Sequence, residues 1–351
     1  MNLSAKRCTM VTLILVLCLF AAACASNSSS NSAVQSGPAS AANENGQGDE
    51  SDNHASETRV FKDYMGREVT IPTHPKRIVV NQFMGHLLVL GVKPIGATTS
   101  QTSQFEKSSF LKRLGLSEGV EPVGENAISP EKALSLSPDL IIIQDNSAAD
   151  VENLDKLSSI APTVVLSFGS KPVFELLRDI GDIVGEAEKA EAWIAGYEKK
   201  GEQYREQLAE VIPPDTTFTV MEVWPKSTIM LFGNLWGRGT FNLYNTLGLK
   251  APPKVQDAVI DKEPSNLNIS LEVLPDYIED YVFLTVYDYE NGDNDKLKKE
   301  LDETPVWRNL PAVKEDHVIQ VSINDYLPGD PISLEKQMDE QVRLLLEKFG
   351  K

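Results

Sequence analysis

Residues 173–211 read VFELLRDIGDIVGEAEKAEAWIAGYEKKGEQYREQLAEV, and no proline interrupts them before Pro213. From Glu186 onward the stretch is rich in Ala, Glu, Lys and Gln, which lose little on entering a helix. Trp193, Ile194, Tyr197, Tyr204, Leu208 and Val211 recur at helical spacings, one apolar stripe on an otherwise polar rod. Glu198 and Glu202 precede basic or polar residues, as on a solvated face. A helix of roughly 25 residues would be about 37 Å long, the length of a small domain. A rod of that length constrains the rest of the chain, because something must cover its stripe at each end.

The two flanks match each other. ISPEKALSLSPDLIII (128–143) stands before the rod and ISLEVLPDYIEDYVFL (269–284) after it. Each has Ile-Ser-x-Glu, a short helical turn, an acidic residue at the same offset (Asp139, Asp280) and an apolar strand. This pairing predicts two related lobes joined by one long helix.

Within the first lobe, VFKDYMGREVTIPTHPKRIVV predicts two short strands about a turn at Gly66 and a buried strand at 78–80. A helix at 85–90 and a short strand at 93–97 follow, and buried strands are expected at 140–143 and 164–166. Ser129-Pro130-Glu131 has the N-cap serine and N1 proline of a helix start. The second lobe repeats the style, with strands at 217–223, 228–232, 281–286 and 318–321, a helix at 240–247 and an amphipathic helix at 333–349. Short apolar strands alternating with helices indicate an α/β fold, two lobes with mainly parallel sheets.

The amino-terminal end is a different kind of sequence. Residues 1–23 carry Lys6 and Arg7 and then an apolar run, 11–23. That run is shorter than the ~20 residues of a membrane span and fits the core of a signal peptide. It ends Leu19-Phe20-Ala21-Ala22-Ala23-Cys24, which resembles the lipobox of bacterial lipoproteins, where the cysteine is lipidated. Ala21 stands where Leu is usual, so plain secretory cleavage or an uncleaved anchor stays open. Residues 24–57 hold almost no large apolar side chain and read as a disordered tether. The expected organisation is a lipoprotein signal peptide at 1–23, the tether at 24–57, an amino-terminal lobe at 58–172, the linking helical segment at 173–211 and a carboxy-terminal lobe at 212–351.

Composition excludes several functions. The net charge is −18, two units more negative without Lys6 and Arg7, and no basic stripe offers a nucleic-acid surface. All three cysteines (Cys8, Cys18, Cys24) lie in the first 24 residues, leaving the body no disulfide or thiolate chemistry. No nucleophile elbow, HExxH, P-loop or dinucleotide fingerprint occurs. His54, His74, His86 and His317 lack ligand spacing, so no metal site is expected. His54 and His317 read as polar surface residues, and His86 as a histidine opening a helix near a strand end.

The densest polar and aromatic cluster is Phe232-Gly233-Asn234-Leu235-Trp236-Gly237-Arg238-Gly239, where a strand ends and a helix begins. Ligands of α/β lobes bind beyond the carboxyl ends of strands. There the glycines admit close approach, Trp236 offers a flat face and Arg238 a planar donor fork. Other strand ends add Trp224, Lys226, Tyr287, Tyr289 and Tyr326 in the second lobe. The first lobe adds Gln82, Phe83, Thr98 to Gln101, and Phe168.

With these residues the chain resembles the iron–siderophore substrate-binding lipoproteins of bacterial ABC importers. The resemblance runs over about 60–345 and rests on DYMGREVTIPTHPKRIVV, SPEKALSLSPDLIII, SSIAPTVVLSF, FGNLWGRG and PVWRNLPAVKEDHVIQV. It implies the helix-bridged, periplasmic-binding-protein-like fold, with a ligand held between the lobes and lipid attachment at Cys24 on the outer face of the cell membrane. Glu131 and Glu272 occupy the places of acidic knobs that dock on arginines of the permease dimer, which works with its ATPase. Trp236 and Arg238 match ligand-contacting residues of the ferric hydroxamate binders, and Phe168 sits where a family aromatic reaches the cleft. Leu327 and Met230 stand near where those binders usually carry aromatics, leaving the exact ligand open. A ferric catecholate would want several converging cations, and only Arg238 and Lys226 are nominated, which favours a hydroxamate. The implied protein is a monomeric receptor with no cofactor, iron being bound only as its siderophore chelate. Its rivals are a receptor for ferric catecholate, ferric citrate, haem or cobalamin, and a surface enzyme or purely structural lipoprotein.

Overall fold

The structure, a computed structural model, describes residues 57–350 apart from 168, 170, 235, 236, 263 and 264. The leader, Cys24 and the tether up to residue 56 lie outside the described residues.

The body opens with an antiparallel hairpin, β1 (Thr58–Lys62) and β2 (Glu68–Pro72). The first lobe is built on β3 (Ile78–Val80), β4 (Gly96–Ala97), β5 (Glu121–Pro122), β6 (Leu140–Gln144) and β7 (Thr163–Leu166). They form a wholly parallel sheet in the order β5-β4-β3-β6-β7. Every residue of β3 and β7, and all of β6 but Gln144, is buried, which is why these strands are continuous apolar runs instead of alternating ones.

The second lobe uses β8 (Phe218–Trp224), β9 (Thr228–Phe232), β10 (Asn266–Ser270), β11 (Tyr281–Val286) and β12 (Val318–Gln320) in the order β10-β9-β8-β11-β12. Its heart, β8-β11-β12, is parallel, while β9 and β10 run antiparallel beside it. Only Pro225, Lys226 and Ser227 join β8 to β9. A parallel pair would need a crossover of a dozen or more residues, so this short connection dictates a hairpin.

The paired motifs are equivalent in space as well as in sequence. Asp139 accepts hydrogen bonds from the backbone amides of Lys76 (2.7 Å) and Arg77 (2.8 Å), just ahead of β3. Asp280 accepts from the amide (2.8 Å) and hydroxyl (3.0 Å) of Thr217, just ahead of β8. In each lobe the aspartate therefore registers the start of one central strand against the strand that follows the motif.

The linking segment is two helices, Val173–Val184 and Ala187–Ala209, with the break at Gly185. Gly185 has φ 75°, and a Cβ there would lie 2.3 Å from Nδ1 of His74 and 2.6 Å from the carbonyl of Thr73. The second helix spans the lobes as its stripe requires. Ala190 and Ile194 enter the first lobe's core, while Tyr197 and Leu208 enter the second's. The carboxy-terminal helix Pro331–Phe349 does the same: Ile332 packs on the first core, and Leu334, Met338, Val342 and Leu345 fill the second. Each large side chain so buried contributes about 1.5–3 kcal/mol.

A polar latch adds to these two helices. The carboxylate of Asp325, in the second lobe, accepts from Ser108 Oγ (2.8 Å), Ser109 N (2.6 Å) and Ser109 Oγ (2.8 Å) of the first. Phe110 meets Tyr326 edge-on beside it, ring centroids 6.3 Å apart.

Candidate functional site

A cavity of about 330 Å³ lies between the lobes, within the ~300–1,000 Å³ of typical small-molecule sites. Gln82, Phe83 and His86 enter it from beyond β3, Gln101 and Gln104 from beyond β4, and Gly169 and Lys171 from beyond β7. These are carboxyl ends of parallel strands, where an open α/β sheet binds ligands. The opposite wall is Gly237, Arg238 and Phe241 with the segment Leu327, Pro328, Gly329 and Asp330. Val173, Leu176 and Leu334, from the bridging helices, close the apolar floor.

Arg238 is the anchor of the second-lobe wall. Its Nε (3.0 Å) and Nη2 (2.9 Å) donate to the two carboxylate oxygens of Glu222, leaving Nη1 outside that pair. The guanidinium lies over the Phe232 ring, 4.6 Å from its centroid. Glu222 is wholly buried and also accepts from Trp224 Nε1 (2.6 Å) and Thr285 Oγ1 (3.0 Å). Four donors on one carboxylate offset the cost of taking it out of water. Because β9 is antiparallel, its carboxyl end is not the sheet's carboxyl end. The loop after it reaches the cavity by folding across the sheet face from which Glu222 projects.

That loop is shaped by close approach. The Arg238 amide donates to the Tyr326 carbonyl at 2.6 Å, and Arg238 itself has φ 71°. A Cβ at Gly237 would lie 2.7 Å from the Leu327 carbonyl, and one at Gly239 2.3 Å from Nε2 of Gln341. On the facing wall Phe83 also has φ 69°. Non-glycine residues in this region are strained by about 1–3 kcal/mol, and such strain gathers at ligand clamps.

The first-lobe wall is polar but uncharged at its glutamines. Gln101 Nε2 donates to Gln82 Oε1 at 2.7 Å. Beneath them Thr98 Oγ1 donates to the Asn81 carbonyl (2.7 Å), and Asn81 Nδ2 donates to the buried Asp150. Burial lowers the His86 pKa to about 3. Burial also raises that of Asp330, against the hydrogen bonds it accepts from Ser333 and Ile332. Among the described residues the charged side chains on the cavity wall are Lys171, Arg238 and Asp330, and each cation already has a carboxylate, Asp179 for Lys171 and Glu222 for Arg238. Among the described residues no group of three or more His, Asp or Glu side chains is placed to hold a metal ion.

The sequence profile of the Periplasmic binding protein family matches residues 84–322. The chain belongs to that family. As a periplasmic binding protein it is 34% identical over 344 residues to the iron(3+)-hydroxamate-binding protein YxeB of Bacillus subtilis, covering 98% of each chain. It is likewise 34% identical over 299 residues to the iron(3+)-hydroxamate-binding protein FhuD of the same organism, covering 85% of this chain and 89% of that one. Among solved structures it superposes on an FhuD fold-family component of a ferrichrome ABC transporter from Bacillus subtilis with a TM-score of 0.71, at 34% identity, covering 81% of this chain and 99% of that one. FhuD2 of Staphylococcus aureus with bound ferrioxamine B superposes with a TM-score of 0.66 at 26% identity, covering 78% and 99%.

Of the residues nominated from the sequence of this periplasmic binding protein, Gln82, Phe83, Gln101 and Arg238 line the cavity. Trp236 and Phe168 lie outside the described residues. Trp224, Lys226, Tyr287 and Tyr326 are not among the lining residues. Tyr326 is 1% exposed and packs behind the loop, where a Cβ added at Gly239 would lie only 2.9 Å from its ring, and its carbonyl accepts from the Arg238 amide. Trp224 and Tyr287 meet exposed Tyr289 edge-on at 5.5 and 6.1 Å, and Lys226 pairs with Glu290 at 2.6 Å. They form a shelf at the carboxyl ends of β8 and β11, and Trp224 touches the site through Glu222. His317 is not a free surface residue, since it stacks on Tyr281 at 4.1 Å. Glu222 went unnoticed, although a carboxylate inside the apolar run FTVMEVW signals a buried partner.

Glu131 and Glu272 are both exposed and both held in place. Ser129, which caps the helix Pro130–Leu136, donates its hydroxyl to Glu131 at 2.9 Å. Glu131's own backbone amide and that serine lower its pKa, and the Ser270 hydroxyl with a backbone amide does the same for Glu272. Each lies toward the cavity end of its sheet. Ile128 donates to Asp150, the partner of Asn81 beyond β3, and Ser270 pairs with Thr228 opposite the end of β8.

Proposed function

We propose that this chain is the extracytoplasmic binding subunit of an ABC importer and that its cargo is a neutral ferric hydroxamate siderophore. The observation that carries the reading is the charge balance of the cavity. Among the described residues both lining cations are paired, so no surplus positive charge from them faces a ligand. A ferric trihydroxamate is neutral, Fe³⁺ against three monoanionic groups, whereas a ferric tris-catecholate brings three negative charges that would need converging cations. The relatives named as hydroxamate-binding proteins support the same choice.

The protein acts on the outside of the chelate. Phe83 and Phe241 pack on its apolar arms, and Arg238, fixed by Glu222 and Phe232, hydrogen-bonds its iron-bound oxygens. The siderophore fills the iron's coordination sphere, so iron meets no protein ligand and no bond is made or broken. A lipid on Cys24 holds the monomeric receptor at the membrane, and residues 25–57 give it reach. Glu131 and Glu272, one per lobe and pre-set by Ser129 and Ser270, dock on the basic rim of the permease dimer.

Tryptophan fluorescence of the protein, titrated with a ferric trihydroxamate and separately with a ferric catecholate, tests the reading. Saturable quenching by the hydroxamate and none by the catecholate is expected. Tight binding of the catecholate alone would refute the charge argument, and binding of ferric citrate, haem or cobalamin in place of both would move the protein to another cargo.

A further inference from the structure

His86 has no explanation in the fold. It sits in the helix Met84–Val89 directly after β3 and is 6% exposed. Its ring meets Phe83 edge-on, centroids 5.7 Å apart and planes at 83°. It lines the cavity between the lobes, yet its Nδ1 is sealed from solvent and has no hydrogen-bond partner among the described residues. A histidine kept for packing alone normally finds a partner for each buried nitrogen.

The sealed Nδ1 decides the tautomer. Burial keeps the imidazole uncharged at neutral pH, so it carries one N–H. Placing that proton on Nδ1 would orphan a buried donor, which is rarer than an under-used acceptor. The proton therefore belongs on Nε2. Because His86 lines the cavity while its Nδ1 is sealed, the Nε2 edge is the one left to face the cavity.

We infer that His86 is a ligand-binding residue of the first lobe, whose Nε2–H donates to an oxygen of the bound ferric hydroxamate from the side opposite Arg238. The inference rests on the cargo proposed above. An uncharged donor suits that cargo, because it recognises a hydroxamate or amide oxygen without adding a positive charge to a balanced cavity. It also gives each lobe one fixed donor, Arg238 on one wall and His86 on the other, so that the chelate is gripped from both.

The test compares the full chain in detergent micelles with its His86→Leu and His86→Gln variants, each titrated with a ferric trihydroxamate and checked by thermal melting. His86→Leu is expected to weaken binding by about tenfold, the loss of one good hydrogen bond. His86→Gln, whose Nε2 can replace the donor, should stay within about threefold. A second readout needs no variant. With ¹⁵N-labelled histidine, the free wild-type protein should show His86 as the Nε2–H tautomer, and the diamagnetic gallium(III) chelate should shift that proton. Undiminished binding by a folded His86→Leu, or an Nδ1–H tautomer in the wild type, would overturn the inference while leaving the cargo standing. Failure of the wild type to bind any trihydroxamate would overturn both.

Discussion

Replacing Glu222 by Gln changes one charge and almost no volume, and it strikes the site at its most constrained point. The carboxylate is wholly buried and accepts four hydrogen bonds, two of them from Arg238, whose side chain is 12% exposed. Gln keeps one acceptor oxygen but turns an NH₂ toward donors from Arg238, Trp224 or Thr285, and it leaves the guanidinium without its countercharge. Removing one partner of a buried pair costs about 3–5 kcal/mol. At about 2–4 °C per kcal/mol for a protein near this size, melting should fall by on the order of 10 °C. Differential scanning calorimetry, with urea unfolding for the free energy, measures both. The double variant Glu222→Leu with Arg238→Met removes both charges and should regain most of the loss, because no unpaired ion remains. A Glu222→Gln protein within about 1 kcal/mol of wild type, or a double variant no more stable than the single, would refute the view that this pair is a closed, mutually dependent unit.

Three further outcomes follow from the geometry. His86 has its pKa lowered to about 3 in the fold, so it contributes stability that is present above its ordinary value near 6.5 and lost as pH falls toward 3, at up to about 1.4 kcal/mol per unit. Urea unfolding should therefore show wild type losing stability relative to His86→Leu as pH falls across that window, and parallel curves would disprove the effect. Asp325→Ala leaves Ser108 and Ser109 donors unmet at the latch and should cost roughly 2–4 kcal/mol, with faster amide exchange at Ser109; an unchanged melt and exchange rate would mean that the latch does not hold the lobes. Joint replacement of Glu131 and Glu272 by Ala should leave siderophore affinity intact while cellular uptake of ⁵⁵Fe-labelled chelate drops on the order of tenfold or more, and undiminished uptake would remove them from the docking surface.

Much of this architecture is local enough to be read along the chain. The strands are short apolar runs bounded by turn residues, and Ser129 with Pro130 announces its helix by capping chemistry that needs no tertiary partner. The repeated Ile-Ser-x-Glu segments expose the two-lobed plan because each lobe uses its aspartate for the same backbone task. What escaped was set by distant residues. Gly185 looks tolerable inside a helical pattern, yet it ends the helix at φ 75° with Thr73 and His74 packed where a side chain would go. Tyr326 reads as a cleft aromatic until the glycine loop folds in front of it. The strand-end rule promoted Trp224, Lys226 and Tyr287, yet the loop after the antiparallel β9 carried Arg238 across to Glu222 instead. The three-residue link from β8 to β9 held the clue, since it is too short for a parallel crossover.

The most direct test of the account is a crystal structure of the protein soaked with, or grown in, a ferric trihydroxamate, using anomalous scattering to fix the iron. The chelate is expected in the cavity between Gln101 and Arg238, with six siderophore oxygens on the iron, an Arg238 nitrogen within hydrogen-bond distance of one of them, and the Arg238–Glu222 pair intact. Iron bound by a protein carboxylate or imidazole, or a chelate seated outside the cleft, would contradict it.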